Sequence, residues 1–195
     1  MKKKSLIIIG AIIGAILLIG GWFIGQHNSL VALDEQCNNA SASIDVAIER
    51  KYNMLTNLAE STKAYMSHES DIMTRIAEAR SLISSSNMND KAEANSLLTQ
   101  AFSELRVVVE NYPDLKADTV MINLMDEIAG SENRIAIARD NYNEVVTRYN
   151  RKIRQIPTNL IANSLGFTKR DLFETKDKLK TEENNGVNMG DIFSK

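Results

Sequence analysis

The first hydrophobic run of the chain is LIIIGAIIGAILLIGGWFIG, residues 6–25. It carries no charge, and Trp22 lies near one end. A bilayer core needs about 20 apolar helical residues, so the run predicts a membrane-spanning helix. A cleaved signal peptide is the alternative, but its apolar core is typically only about 7–15 residues long. Because Gly25-Gln26-His27 is also a poor cleavage site, we favour an anchor.

The pattern after the span is a stripe of apolar residues with helical period, which we follow over residues 30–83. Residues 26–112 contain neither Gly nor Pro, a composition typical of helices. A kink or turn is expected only near Ser67-His68-Glu69. In the stretch IDVAIERKYNMLTNL, Lys51 falls in the middle of the apolar face. Lys51 therefore binds a ligand, extends to water, or pairs with a carboxylate from another helix.

Two further helices follow a loop at residues 84–90, SSSNMND. One spans residues 92–111 and ends at Tyr112-Pro113-Asp114, and the other spans about residues 118–156 and ends before Pro157. The predicted fold is all-α, with an N-terminal transmembrane helix followed by an elongated antiparallel bundle of three to four long helices. We divide the chain into a basic N-terminus (1–5), the span (6–25), the bundle (28–174) and a disordered tail (175–195).

The segment PTNLIANSLGF, residues 157–167, predicts a short apolar helix with Thr158 as N-cap and Gly166 as its C-terminal stop. Its apolar residues are Leu160, Ile161, Leu165 and Phe167. At about 1.5 Å per helical residue, the helix lengths bring this segment close to the bilayer. It then docks either at the membrane interface or against the base of the bundle.

A polar row lies beside the apolar stripe of the last long helix, next to the repeated pairs Tyr142-Asn143 and Tyr149-Asn150. Its members are Glu132, Arg139, Asn143 and Asn150. Polar groups at the edge of a stripe usually fix the register between helices, because an unpaired one costs about 1–3 kcal/mol. Glu132 is the natural partner for Lys51, so we interpret Lys51 as a paired interhelical cation rather than a ligand-binding group.

The glycines of the span form two G-xxx-G units on one helix face. They are Gly10, Gly14, Gly21 and Gly25. Such a face allows close packing against a second helix, although glycine is also common in membrane spans generally. Self-association through the span and simple membrane composition both remain open.

Charge gives the orientation and excludes one class of partner. Lys2, Lys3 and Lys4 are the only basic residues before Arg50, which predicts a cytoplasmic N-terminus and an extracytoplasmic bundle at the inner membrane. Without these lysines the chain has a formal charge of −5, which argues against nucleic acid as a partner.

Candidate chemistry is sparse. His27 and His68 are the only imidazoles, and Cys37 is the only cysteine. Neither a zinc-protease motif nor a nucleophile elbow, phosphate loop or dinucleotide fingerprint is present in the sequence. We therefore expect no catalytic, cofactor or metal site and no enzymatic activity.

Five sequence blocks in order resemble the LemA family of bacterial membrane proteins. They are HNSLVAL, IDVAIERKYNMLTNL, YPDLKA, SENRIAIARDNYNEVVTRYN and IPTNLIANSLGF. The chain departs from the family pattern at Ser41, where Trp is usual, and at Thr56, where Pro is usual; without that proline a kink there is less expected. The resemblance implies a single-pass anchor, an elongated helical bundle and no established enzymatic activity.

These observations favour an interaction or scaffold protein of the bacterial envelope. Its expected partners are the membrane and other membrane or envelope proteins, with possible self-association through the span. A protein that binds lipid or the membrane interface is the second hypothesis. An enzyme with an unrecognised site is the third, and a narrow bundle core offers little concavity for it.

Overall fold

The computed structural model describes residues 2–65 and 69–174. The side chains of residues 2–6, 69 and 70 are outside this description, as is the predicted tail from residue 175. Within the described ranges the chain is helical and contains no strand, so the all-α prediction is confirmed. The elements are α1 (Lys2–Thr62), a 3₁₀ turn (Lys63–Tyr65), α2 (Glu69–Ile83), α3 (Met88–Asn111), α4 (Pro113–Ala117), α5 (Thr119–Arg154) and α6 (Thr158–Leu165).

The first part of α1 contains the predicted span. Among the described residues, α1 is the one helix that is both long enough and apolar enough to cross a membrane. Large apolar side chains such as Ile7, Leu18 and Ile24 are 72%, 77% and 61% exposed, so the rest of the described chain leaves them largely uncovered. Such exposure would be costly in water and is ordinary for side chains that face lipid.

The helix ends follow local capping chemistry. The side chain of Asn87 accepts a hydrogen bond of 2.9 Å from the amide of Asn89, so α3 begins four residues before its predicted start. Asp118 caps α5 through the amide of Val120, at 2.7 Å. α1 ends at Thr62 and α2 begins at Glu69; Ser67 and His68, where a kink or turn was expected, lie outside the described residues. Gly166 terminates α6 at a φ of 77°, a conformation that glycine adopts without strain.

The chain divides into two compact units. The first, called the anchor unit, contains residues up to Asn39 together with Glu144–Arg170. The second, called the acidic unit, contains Ala40–Asn143 and the residues from Asp171 onward. In sequence the anchor unit has nine Lys and Arg against three Asp and Glu, and the acidic unit has 14 against 22. The two units therefore carry formal charges of +6 and −8.

Each unit has an apolar core built from the predicted stripes. In the acidic unit the fully buried side chains include Ile44, Ile48, Leu55, Leu58, Leu98, Leu105 and Ile128. In the anchor unit they include Leu30, Cys37 and Val146. The last long helix was predicted over about residues 118–156, but α5 ends at Arg154, and Ile156 beyond it is 85% exposed.

Candidate functional site

The side chain of Lys51 is completely buried in the acidic unit. Its ammonium group donates to Asn95 Oδ1 at 2.9 Å, to Thr99 Oγ1 at 2.8 Å and to the Glu132 carboxylate. An ammonium has three donors, and each of them has an acceptor here. The acceptors come from α3 and α5, so one cation on α1 connects three helices.

Glu132 and Thr99 complete this polar cluster. The Thr99 hydroxyl lies 2.8 Å from Glu132 Oε1, and the Glu132 side chain is 37% exposed. Burial lowers the pKa of Lys51, while the hydrogen bond and negative charge of Glu132 partly offset that effect. The structure thus brings Lys51 and Glu132 together, and their role in setting helix register stays a prediction.

Asn95 and Thr99 were not identified from the sequence. They are four residues apart on α3, next to the buried Ala94 and Leu98, so both point from the same helix face toward α1. The sequence signal that could have identified them is a pair of polar residues four positions apart beside the apolar stripe of α3.

Two further ion pairs lie near this cluster within the acidic unit. Lys91, which is 5% exposed, approaches Asp45 Oδ1 to 2.5 Å. Arg50 pairs with Glu127 at 2.5 Å on the surface, where about half of each side chain is exposed. An exposed pair of this kind contributes little to stability. Lys51 and Lys91 are therefore the two buried cations among the described residues of this unit.

The remaining members of the predicted polar row have other partners. The guanidinium of Arg139 donates to the carboxylate of its neighbour Asp140, at 3.1 and 3.2 Å. Asn143 and Asn150 each bind the backbone of residues 167–174, which form no helix or strand. The two asparagines thus hold a non-helical segment, where the sequence suggested contacts with a facing helix.

In the acidic unit, the side chains of Tyr142 and Asn143 bind the backbone of Asp171 and Phe173, where the chain re-enters this unit after Arg170. The Tyr142 hydroxyl donates to the carbonyl of Asp171 at 2.9 Å. The Asn143 amide donates to the carbonyl of Phe173 at 3.0 Å and accepts from its N–H at 2.8 Å. Phe173 itself is buried, at 3% exposure.

In the anchor unit, Tyr149 and Asn150 make the same set of contacts, and the residues that they bind lie three positions earlier in the sequence. The Tyr149 hydroxyl donates to the carbonyl of Thr168 at 3.0 Å. Asn150 donates to the carbonyl of Arg170 at 2.8 Å and accepts from its N–H at 3.0 Å. A side-chain amide that bonds both backbone groups of one residue replaces the pairing that a neighbouring strand would provide.

The spacing of the Tyr-Asn pairs explains how the motif recurs. The pairs are seven residues apart on α5, and the residues they bind are three apart in sequence. Seven helical residues advance about 10.5 Å, and three extended residues advance about 10 Å. The seven-residue spacing of the Tyr-Asn pairs on α5 therefore covers about the same distance as the three-residue spacing of the backbone groups that they bind.

Arg170 is the central polar residue of the anchor unit, and sequence reasoning missed its role. Its guanidinium donates to Asp34 Oδ1 at 3.0 Å and to Asn38 Oδ1 at 2.8 Å, both on α1. It also lies over the Tyr149 ring, 5.8 Å from the centroid. Burial alone would lower the pKa of Arg170, but the hydrogen bond and charge of Asp34 raise it above its usual value. No periodic signal marks this residue, because it lies outside the helices.

The apolar segment 157–167 is divided between core and surface. Ile161 is 4% exposed and buried in the anchor unit, whereas Leu160 and Leu165 are 67% and 44% exposed. Phe167 contacts His27 edge to face, with ring centroids 6.4 Å apart. Thr158, expected as the N-cap, is the first residue of α6 and donates its hydroxyl to Gln26 at 3.2 Å.

The glycine face of the span is open in the single chain. Apart from the helix's own nearby backbone, no atom of the described residues lies within 4 Å of the position that a Cβ would take at Gly10, Gly14, Gly21 or Gly25. Close packing of another helix on this face stays a prediction. Residues 2–65 and 69–174 contain no group of three His, Cys, Asp or Glu side chains able to hold a metal ion.

Comparison with known proteins gives one family and several relatives. The model of the LemA family matches residues 40–188. Protein LemA of Metamycoplasma hominis is 28% identical over 157 residues, which are 80% of this chain and 72% of that protein. Magnetosome protein MamQ 2 of Paramagnetospirillum magneticum is 26% identical over 178 residues, 77% of this chain and 65% of the relative. Magnetosome protein MamQ of Magnetospirillum gryphiswaldense is 24% identical with the same coverage, so the chain spans about two thirds of the MamQ relatives.

Proposed function

The chain belongs to the LemA family, and on that premise we propose that it is a membrane-anchored helical interaction or scaffold protein of the bacterial envelope. The names of the relatives describe no reaction, and the proposal includes no catalytic step.

One observation carries the proposal: α1 runs without interruption from Lys2 to Thr62. It begins with the candidate span and later contributes Ile44, Ile48 and Lys51 to the core of the acidic unit. The helix that carries the candidate span therefore also supplies part of the core of the acidic unit.

The formal charge of −8 defines the partner chemistry that this surface favours. Complementary charge steers association and excludes partners of like charge. We therefore expect the partner to be a protein with a basic surface, with binding that weakens as salt is raised.

The test is crosslinking in living cells from single positions of the full chain. A photoreactive residue at Val107, which is 56% exposed, or at Ile137, which is 63% exposed, should capture the same discrete protein. The matched control is Leu105, which is fully buried and should yield no adduct. The proposal is wrong if neither exposed position gives a specific adduct while the protein is correctly inserted in the membrane.

The orientation is a separate proposal that rests on Lys2, Lys3 and Lys4. With the N-terminus in the cytoplasm, protease added to spheroplasts should digest the acidic unit. Complete protection of this unit, while an extracytoplasmic control protein is cleaved, would reverse the orientation and leave the interaction proposal intact.

A further inference from the structure

The exposed side of α6 and of the turn before it carries three large apolar residues beside the polar Asn163 and Ser164. Ile156 is 85% exposed, Leu160 67% and Leu165 44%. The buried residues of this short helix, Ile161 at 4% and Ala162 at 0%, already supply its contribution to the core of the anchor unit. A helix that needed only to cover a core in water would not need three large apolar residues on its exposed side in addition to the polar ones. Three exposed large apolar residues so close together mark a contact with something else.

Two contacts place this surface beside the membrane end of the span. The Thr158 hydroxyl at the start of α6 donates to the side chain of Gln26 at 3.2 Å. The Phe167 ring, just after α6, meets the His27 ring with centroids 6.4 Å apart. Gln26 and His27 directly follow the 20-residue apolar run. Both ends of α6 are therefore held next to the residues where α1 leaves the hydrocarbon region.

The chain segment that carries this surface has charges of one sign. From residue 145 to residue 170 the sequence has six Lys and Arg and no Asp or Glu. Arg151 and Arg154 are exposed in the last turn of α5, and Lys169 is exposed beyond α6. The chain as a whole has a formal charge of −2, so this basic segment is a local feature. Apolar side chains rimmed by Lys and Arg are the composition that binds the interface of a membrane with anionic lipids.

We infer that this surface is a second membrane contact, in which Ile156, Leu160 and Leu165 enter the boundary between headgroups and acyl chains. Arg151, Arg154 and Lys169 then lie at the level of the anionic headgroups. The occupant of the exposed face is the bilayer that the span itself crosses. Since α6 is held to α1 through Thr158 and Phe167, this contact would orient the anchor unit on the membrane surface in a way that one helix crossing the bilayer does not.

The experiment measures the depth of α6 in the full chain, reconstituted in lipid nanodiscs at one copy per disc. An environment-sensitive fluorophore is attached at Ser164→Cys, one turn after Leu160. The matched control is Ser81→Cys on α2, since both serines are exposed and donate back to their own helix. Native Cys37 is fully buried, and the unsubstituted chain reports any background labelling.

The expected result is quenching by spin-labelled lipid that is at least about twofold stronger at position 164 than at position 81. Iodide in the water should quench in the opposite order. Discs that contain phosphatidylglycerol should strengthen the lipid quenching at position 164 relative to phosphatidylcholine alone, and high salt should remove that increase.

Variants separate the apolar and the charged contributions. Leu160→Ser should reduce lipid quenching in both lipid compositions. Replacing Arg151, Arg154 and Lys169 by Gln should remove only the increase caused by phosphatidylglycerol. Val120→Ser is the control, because Val120 is 69% exposed in the acidic unit and should leave the signal unchanged. Circular dichroism verifies that each variant retains its helix content.

Two results would overturn the inference. Equal iodide quenching at positions 164 and 81 in both lipids would show that α6 faces water. Protection of position 164 that appears only in discs loaded with two copies would assign the face to a second copy of the chain.

Discussion

The anchor unit and the acidic unit each hold a buried or half-buried cation, but they hold it by different means. In the acidic unit, Lys51 is bound by three side-chain acceptors that project from helices. In the anchor unit, Arg170 is bound by Asp34 and Asn38 from a helix, and its own backbone is paired with Asn150. The first arrangement links side chains of three helices, and the second links a non-helical segment to two helices.

The difference follows from the chemistry of the two cations. A lysine ammonium is compact and can satisfy all its donors inside a core if three acceptors converge on it. A guanidinium is planar and wide, so it suits a partly open position where it contacts two acceptors and an aromatic face at once. The burial of the two side chains matches this rule, with Lys51 fully buried and the side chain of Arg170 29% exposed.

The largest expected effect is that of Asn150→Ala. This change removes two hydrogen bonds and leaves both backbone groups of Arg170 without their partner, at a cost of about 3 kcal/mol in unfolding free energy. Unfolding of the full chain in detergent, followed by circular dichroism, measures it. Asn141→Ala is the matched control, since Asn141 is exposed on the same helix and should change stability by less than about 0.5 kcal/mol. Equal effects of the two changes would contradict the assigned role.

The next effect tests the side-chain cluster of the acidic unit. Glu132→Ala leaves Lys51 without its carboxylate and should cost about 2 kcal/mol, reduced from a fully buried pair because Glu132 is 37% exposed. Lys51→Met should be tolerated better, at about 1 kcal/mol, because the remaining carboxylate can reach water. A double-mutant cycle should give coupling above about 0.5 kcal/mol. Strict additivity would remove the pair as a stabilising contact.

The fold class and the Lys51 cluster were more predictable than the Arg170 cluster for a physical reason. When one face of a helix is buried, apolar residues recur in the sequence with the helical period, as Ile44, Ile48 and Leu55 do. The charged Lys51 within that apolar stripe could therefore be recognised from the sequence. The segment after Gly166 is held mainly through its backbone, and backbone contacts leave no pattern in the side chains. The repeated Tyr-Asn pairs were visible, but nothing in the sequence indicated that their partners were backbone groups.

The third prediction compares the two tyrosines of the repeat. Tyr142→Phe and Tyr149→Phe each remove one hydroxyl that donates to a carbonyl, in the acidic and the anchor unit respectively. Each should cost about 1 kcal/mol, since the ring and its packing are retained. Tyr112→Phe, at a tyrosine that is 40% exposed, is the control and should be nearly neutral. A large effect in only one unit would show that the two halves of the repeat are not equivalent.

The smallest effect is a difference in alkaline response between the two clusters. Burial lowers the pKa of Lys51 below its ordinary value of 10.5, whereas the pKa of Arg170 is raised. Between the folded pKa of Lys51 and 10.5, the unfolded chain binds more protons at this residue than the folded chain does. Stability from this residue therefore rises with pH across that window, and below it the contribution is constant.

The measurement is the difference in unfolding free energy between the unsubstituted chain and Lys51→Met as pH is raised. Across the window we expect the unfolding free energy of the unsubstituted chain to rise relative to that of Lys51→Met. The reason is that the cost of burying the ammonium is relieved as it loses its proton. Lys116→Met removes an exposed lysine and should give a flat difference over the same range. If the unfolding free energy of the unsubstituted chain instead fell relative to that of Lys51→Met, the attraction of Glu132 would outweigh the effect of burial on the pKa of Lys51. The acidic unit would then stabilise the charged form of its cation, as the anchor unit does for Arg170.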